Sequence, residues 1–265
     1  MTKEYFDAPL FIKEGAVNDV NLVETPFFYN NNGCPTYVKA LPPYVEPLEP
    51  ASSDPYIPIG REYEVIDAKT ETPDPEHGEQ TKLTLVANEV VYEPMWVTSS
   101  VAAAFGITLV QKGQGIRVSS PEDKLKQIDY EYGMFAGHRS PYQGTGYRLL
   151  GMVCTDLECH DFPHVFASID PELPLVISVA RYWPRFKKIF LADLWVPSGS
   201  ALYIPPRSRA KGQEFVHLHG NRNSALACWR GIERSSIQTQ TLLQVDGGYF
   251  HWFWNELPTI HPLLK

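Results

Sequence analysis

At 265 residues, with 43% apolar and 20% charged side chains, the chain has globular composition and enough length to bury a core in one large or two small domains. No window approaches the ~18 apolar residues of a membrane helix, and four cysteines are too few for a disulfide scaffold. The net charge of −8 is placed unevenly: residues 1–75 hold 13 Asp/Glu against 5 Lys/Arg, which leaves the remainder neutral.

The N-terminus has no apolar run behind a basic start, which predicts cytoplasmic synthesis without a secretory signal. Residues 1–60 read as an extended acidic arm. They are rich in proline, which fixes φ and removes a backbone donor, so neither a helix nor a central strand is expected there. Tyr37, Tyr44 and Tyr56 are interleaved with the prolines, and such aromatics mark an arm that docks on something. Residues 61–265 form the predicted body. It starts with a strand at 62–66 and another over 81–92, followed by a short capped helix at 99–105 that Gly106 stops. Ser120 as N-cap, Pro121 in the first turn and Leu125, Ile128 and Tyr132 on one face predict a helix over 120–132. Beyond it come candidate strands at 147–153, 173–181, 187–195, 201–204, 214–219, 237–245 and 249–254, all short and separated by Pro/Gly turns. The expected fold is mainly β, a sandwich, jelly roll or compact barrel with a few short helices.

Three groups of residues can carry function. In the first, His217 and His219 alternate on one strand and so share a face, and Cys228 and Arg230 follow. A thiol near an imidazole becomes a nucleophile, and a guanidinium can hold a carboxylate. The stretch His219-Gly220, Ser224, Cys228, Arg230 resembles the active-site segment of L,D-transpeptidases, with Ala227 where that family carries glycine. The resemblance implies Cys228 as nucleophile, His219 or His217 as base, Arg230 as carboxylate binder, and peptidoglycan peptides as substrate.

The second group is metal-like. His217, His219 and His251 are candidate ligands, and Cys154, Cys159, His160 and His164 form a C-x4-C-H-x3-H spacing that zinc can take. The alternative for these side chains is buried thiols and loop histidines without a metal. Gly199-x5-Pro205 and Gly248-x2-His251-x3-Asn255 resemble pieces of the cupin motifs, which implies a metal-binding β-barrel. The third group is basic and aromatic: Arg181, Trp183, Arg185, Lys187, Lys188, Arg207 and Arg209 lie in a stretch, 181–234, with ten Lys/Arg against three Asp/Glu. Such a face can bind a polyanion, but a sequence pI near 5.5 and the lack of any nucleic-acid module argue against nucleic acid.

Acidic arm and basic face together predict a non-enzymatic assembly protein of a virion, tail or secretion apparatus. On this reading the arm grips its own or a neighbouring subunit in a homo- or hetero-oligomer, with no cofactor and no membrane span. A Cys/His enzyme and a zinc-binding barrel are the alternatives.

Overall fold

The structure is a computed structural model. It describes residues 26–29, 35–37, 41–51, 56–71, 79–117, 125–135, 157–160, 163–168, 174–197, 199–207, 216–220, 235–244 and 250–260. The elements in chain order begin with β1 (Pro26–Tyr29), β2 (Pro35–Tyr37), β3 (Pro47–Leu48), β4 (Arg61–Thr70), β5 (Glu79–Leu85), β6 (Val90–Val91) and β7 (Glu93–Trp96). The short helix α1 (Ser99–Ala104) follows, then β8 (Thr108–Gln111), β9 (Gly115–Arg117), β10 (Leu125–Phe135), β11 (Leu157–His160), β12 (His164–Ser168) and β13 (Leu175–Trp183). The chain continues through β14 (Lys188–Val196), β15 (Ser200–Ile204), β16 (Val216–Gly220), β17 (Ser235–Gln244), β18 (Phe250–Trp254) and β19 (Thr259–Ile260).

Seven strands close into a barrel in the order β13-β16-β11-β18-β5-β4-β14, the ring being completed by the β13–β14 pairing. Every ladder in it is antiparallel except β18–β5, and β7 adds a parallel strand to the second half of β14. An antiparallel sheet of order β10-β17-β12-β15-β8 packs on one side of the barrel wall. The mainly β, compact-barrel expectation therefore holds. A smaller sheet, β2-β1-β9-β3, ties described parts of the first 50 residues to the body.

Two cores lie on opposite faces of the same wall. Inside the barrel, Val65, Leu83, Leu157, Tyr182, Leu191, Leu218 and Phe253 form one cluster. Outside it, Ile177, Val179, Trp183, Phe190 and Leu194 meet Phe166, Leu202 and Ile204 of the five-stranded sheet, with Phe105 and Ile107 after α1. Strands that separate the two cores are buried on both faces, so β13 is a nine-residue buried run without polar alternation. This explains why the segment 173–181 is apolar except for Ser178 and Arg181.

Helix α1 forms where the sequence predicts it, with the Thr98 hydroxyl accepting from the Val101 amide as N-cap. Gly106 then takes φ +73, and a β-carbon there would meet the Arg181 guanidinium at 1.9 Å. The expected helix over 120–132 is corrected: Leu125–Phe135 is the strand β10, paired with β17 from Leu125↔Gln244 to Phe135↔Ser235. Ile128, Tyr130, Tyr132 and Met134 already alternate with period two in the sequence, and a long ladder outweighs a favourable N-cap. The predicted strand at 147–153 lies outside the described residues. Among the described residues, no helix is long and apolar enough to cross a membrane.

Candidate metal centre

Strand alternation builds a site between the barrel wall and the facing sheet. On β11, Leu157 and Cys159 belong to the barrel interior, so Glu158 and His160 project from the opposite face. Its neighbour β16 repeats the pattern, with Val216 and Leu218 inside and His217 and His219 outside. The register sets Glu158 directly against His219. From the facing sheet, β12 begins at His164, immediately after Pro163, and presents that ring across the gap.

Glu158, His160, His164 and His219 thus converge, their ligand atoms all within 4.8 Å of one another. His219 Nε2 stands 3.3 Å from Glu158 Oε1, and His160 Nε2 stands 3.3 Å from His164 Nδ1. Donors ~2.1 Å from a tetrahedral ion would stand about 3.4 Å apart, so both separations suit a shared cation. Glu158, His160 and His219 are 7%, 2% and 0% exposed, and His164 is the half-buried member. Phe166 stacks on the His164 ring at 4.0 Å and lies edge-on to His219 at 5.5 Å. Burial and the neighbouring His219 hold His164 well below the usual histidine range, which keeps it in the neutral form that ligates metals.

A hydrogen-bonded histidine cluster without an ion is the alternative. It leaves a defect, because neither ring nitrogen of His219 makes a hydrogen bond among the described residues. Each such buried nitrogen costs about 1–3 kcal/mol. A cation held between His219 and Glu158 would satisfy one of them and neutralise a buried carboxylate. Three imidazoles and a carboxylate suit a divalent first-row transition ion.

The histidine set predicted from sequence is divided by the wall. His219 is in the cluster. His217 shares its face but donates from Nε2 to the Pro205 carbonyl at 2.9 Å, and burial, then Arg181, hold it down at about 3. His251 is inside the barrel, on the far face, where Thr81 Oγ1 meets Nε2 at 2.7 Å and Arg207 reaches Nδ1 at 3.0 Å. Of the C-x4-C-H-x3-H spacing, His160 and His164 come together and Cys159 turns away. Burial pushes the Cys159 thiol up to about 11, against the opposing pull of Arg207 at 3.1 Å. Cys154, Cys228, Arg230 and Arg209 lie outside the described residues. Glu158 went unassigned, although period-two alternation in Glu158-Cys159-His160 separates carboxylate and imidazole from the thiol.

The residues of the expected basic face are divided between buried and exposed positions. Arg181 and Trp183 are buried, stacked at 5.0 Å in the gap between wall and sheet, and offer no surface to a partner. Arg207 points its guanidinium into the barrel and donates its amide to the His160 carbonyl at 2.8 Å. Arg185 and Lys187 are exposed, while Lys188 pairs with Glu62 of β4. Tyr56 packs on Trp183, Phe186 and Phe190 of its own chain at 5.0, 4.6 and 5.9 Å, whereas Tyr44 is exposed. Tyr37 lies on β2.

No protein-family model, curated protein or solved structure matches the chain.

Proposed function

We propose that the protein is a metal-binding β-barrel, its centre a divalent first-row transition ion held by Glu158, His160, His164 and His219. The observation that carries this reading is the convergence of four donors within 4.8 Å around a fully buried His219 whose ring nitrogens lack hydrogen bonds among the described residues. Such an ion supplies Lewis-acid chemistry to a bound water or substrate oxygen. Two strands of the wall and one strand of the facing sheet provide the donors, so the folded core fixes the geometry in advance.

The test is elemental analysis of full-length protein produced with zinc, iron, manganese, cobalt and nickel supplied. The expected result is about one ion per chain, with affinity falling for His219→Ala and for His164→Ala by more than the roughly 10–100-fold that loss of a supporting partner costs. Wild-type protein that retains no more metal than His219→Ala would overturn the reading.

A second reading, the assembly protein with a docking arm, has one observation of its own. Tyr56 seats on a three-ring aromatic cluster of the body, and the Ala51 amide donates to Thr108 Oγ1 at 2.8 Å. This favours an arm that docks on its own subunit. Removing residues 1–58 should then lower thermal stability, and a lost oligomer would instead favour docking on a neighbour.

A further inference from the structure

Resting on that metal reading, we infer that Arg207 is a positioning residue for the centre, which ligates nothing itself and fixes the strands that present the donors.

The chain crosses from the facing sheet to the barrel wall at residues 204–207. Ile204, the last residue of β15, stands in register opposite His164 of β12. One residue on, the Pro205 carbonyl accepts from His217 Nε2 at 2.9 Å, on the strand that carries His219. The Arg207 amide then donates to the carbonyl of His160 on β11 at 2.8 Å. This short crossing therefore meets all three strands that supply Glu158, His160, His164 and His219. His160 and His164 are joined covalently through residues 161–163, and the crossing is a second link between their strands.

The Arg207 side chain anchors that link. Pro205 and Pro206 have no N–H, so the first amide after Ile204 is that of Arg207, and it is the one bonded to His160. Both prolines also fix φ, which makes the crossing stiff. The guanidinium enters the barrel, where Nη1 lies 3.1 Å from Cys159 Sγ and 3.0 Å from His251 Nδ1. Cys159 sits between Glu158 and His160, so the side chain grips from the inner face the strand that the amide grips through its backbone. The β11–β16 register ends at Glu158↔His219, and beyond it the Arg207 contacts add to β18 in supporting β11. Donors must lie within about 0.2 Å of their bond lengths, so a small shift of β11 against β12 weakens coordination.

The experiment loads full-length protein with Co(II), whose visible d–d bands report the number and arrangement of donors. Wild type is compared with Arg207→Met, which keeps the length and loses every side-chain donor, and with Arg207→Lys, which keeps a donor. Val65→Ala, on β4 three strands from β11 in the barrel order, supplies general loosening of the core. Urea unfolding without metal gives the loss of stability in each variant. Arg207→Met should bind cobalt about 10-fold more weakly, with changed band intensities, and Arg207→Lys should fall between it and wild type. Val65→Ala should lose stability while keeping the wild-type bands and affinity. Arg207→Met with wild-type bands and affinity would overturn the positioning role and leave the metal centre standing. The same spectral change in Val65→Ala would also overturn it, since loosening anywhere would then suffice. Should Arg207→Met not fold, Arg207→Lys decides, and bands and affinity equal to wild type overturn the role. Wild type that binds no cobalt would remove the metal centre and this inference with it.

Discussion

His251 is a neutral histidine held between a cation and a hydroxyl. Arg207 donates to Nδ1 at 3.0 Å, so Nδ1 must be an acceptor, and the ring proton sits on Nε2, facing Thr81 Oγ1. Glu79 stands 3.8 Å from Nδ1, and the raised thiol of Cys159 shares the same guanidinium. Burial first, then Arg207, lowers the His251 pKa from its ordinary 6.5 to about 4. Between those values the unfolded chain takes up a proton that the folded chain refuses, so this contribution to stability is present above pH 6.5 and lost as pH falls towards 4. The slope from one such group is about 1.4 kcal/mol per pH unit at its steepest. Urea unfolding at pH 7 and pH 5 checks it. The wild type should lose more stability than His251→Asn, which keeps an acceptor but does not titrate. Equal losses would mean that the imidazole is charged in the folded protein.

At the level of elements, the β13–β14 hairpin turns through a tight Pro184–Phe186 helical turn and a lysine in the left-handed region. Lys187 has φ 52, the only non-glycine among the described residues with positive φ. A β-carbon costs about 1–2 kcal/mol in that conformation, partly offset by the extra freedom glycine brings to the unfolded chain. Lys187→Gly should therefore stabilise the protein by about 0.5 kcal/mol, seen as a higher urea midpoint with an unchanged slope.

Element type was legible in the long apolar runs 173–181, 187–195 and 249–254. Short polar-looking strands were not. Leu157–His160 and His164–Ser168 gave four or five residues each, with cysteine and histidine spacing that drew attention to a loop-borne zinc motif. Alternation was readable within Glu158-Cys159-His160, but which strand lies beside it, and which face meets the second sheet, depends on pairing between residues some sixty positions apart. Proximity of His219 to Glu158 therefore had no local signal. The helix expectation at 120–132 failed for the same reason: a good N-cap is local, whereas the ladder with Ser235–Gln244 is not.

For the whole molecule, the cluster spans two separately paired sheets. Glu158, His160 and His219 belong to the closed barrel, whose ladders hold them whether or not an ion is bound. His164 belongs to the other sheet and contributes the fourth donor. An ion that binds only the folded state adds stability according to its occupancy. Chelation should therefore lower the unfolding temperature of the wild type but leave His164→Ala nearly unchanged. Amide exchange should quicken first in β12 and its neighbours β15 and β17, ahead of the barrel ladders. Uniform quickening throughout, or none, would show that His164 makes no bond across the gap.

The same geometry has a mechanical side. Apolar contacts between wall and sheet are non-directional and let one surface creep over the other at small cost. With the proposed ion bound, a coordinate bond from His164 would be directional and would resist such sliding. Metal occupancy would therefore set how stiffly the two sheets are coupled, and a chain that loses its ion would keep its shape while becoming easier to shear.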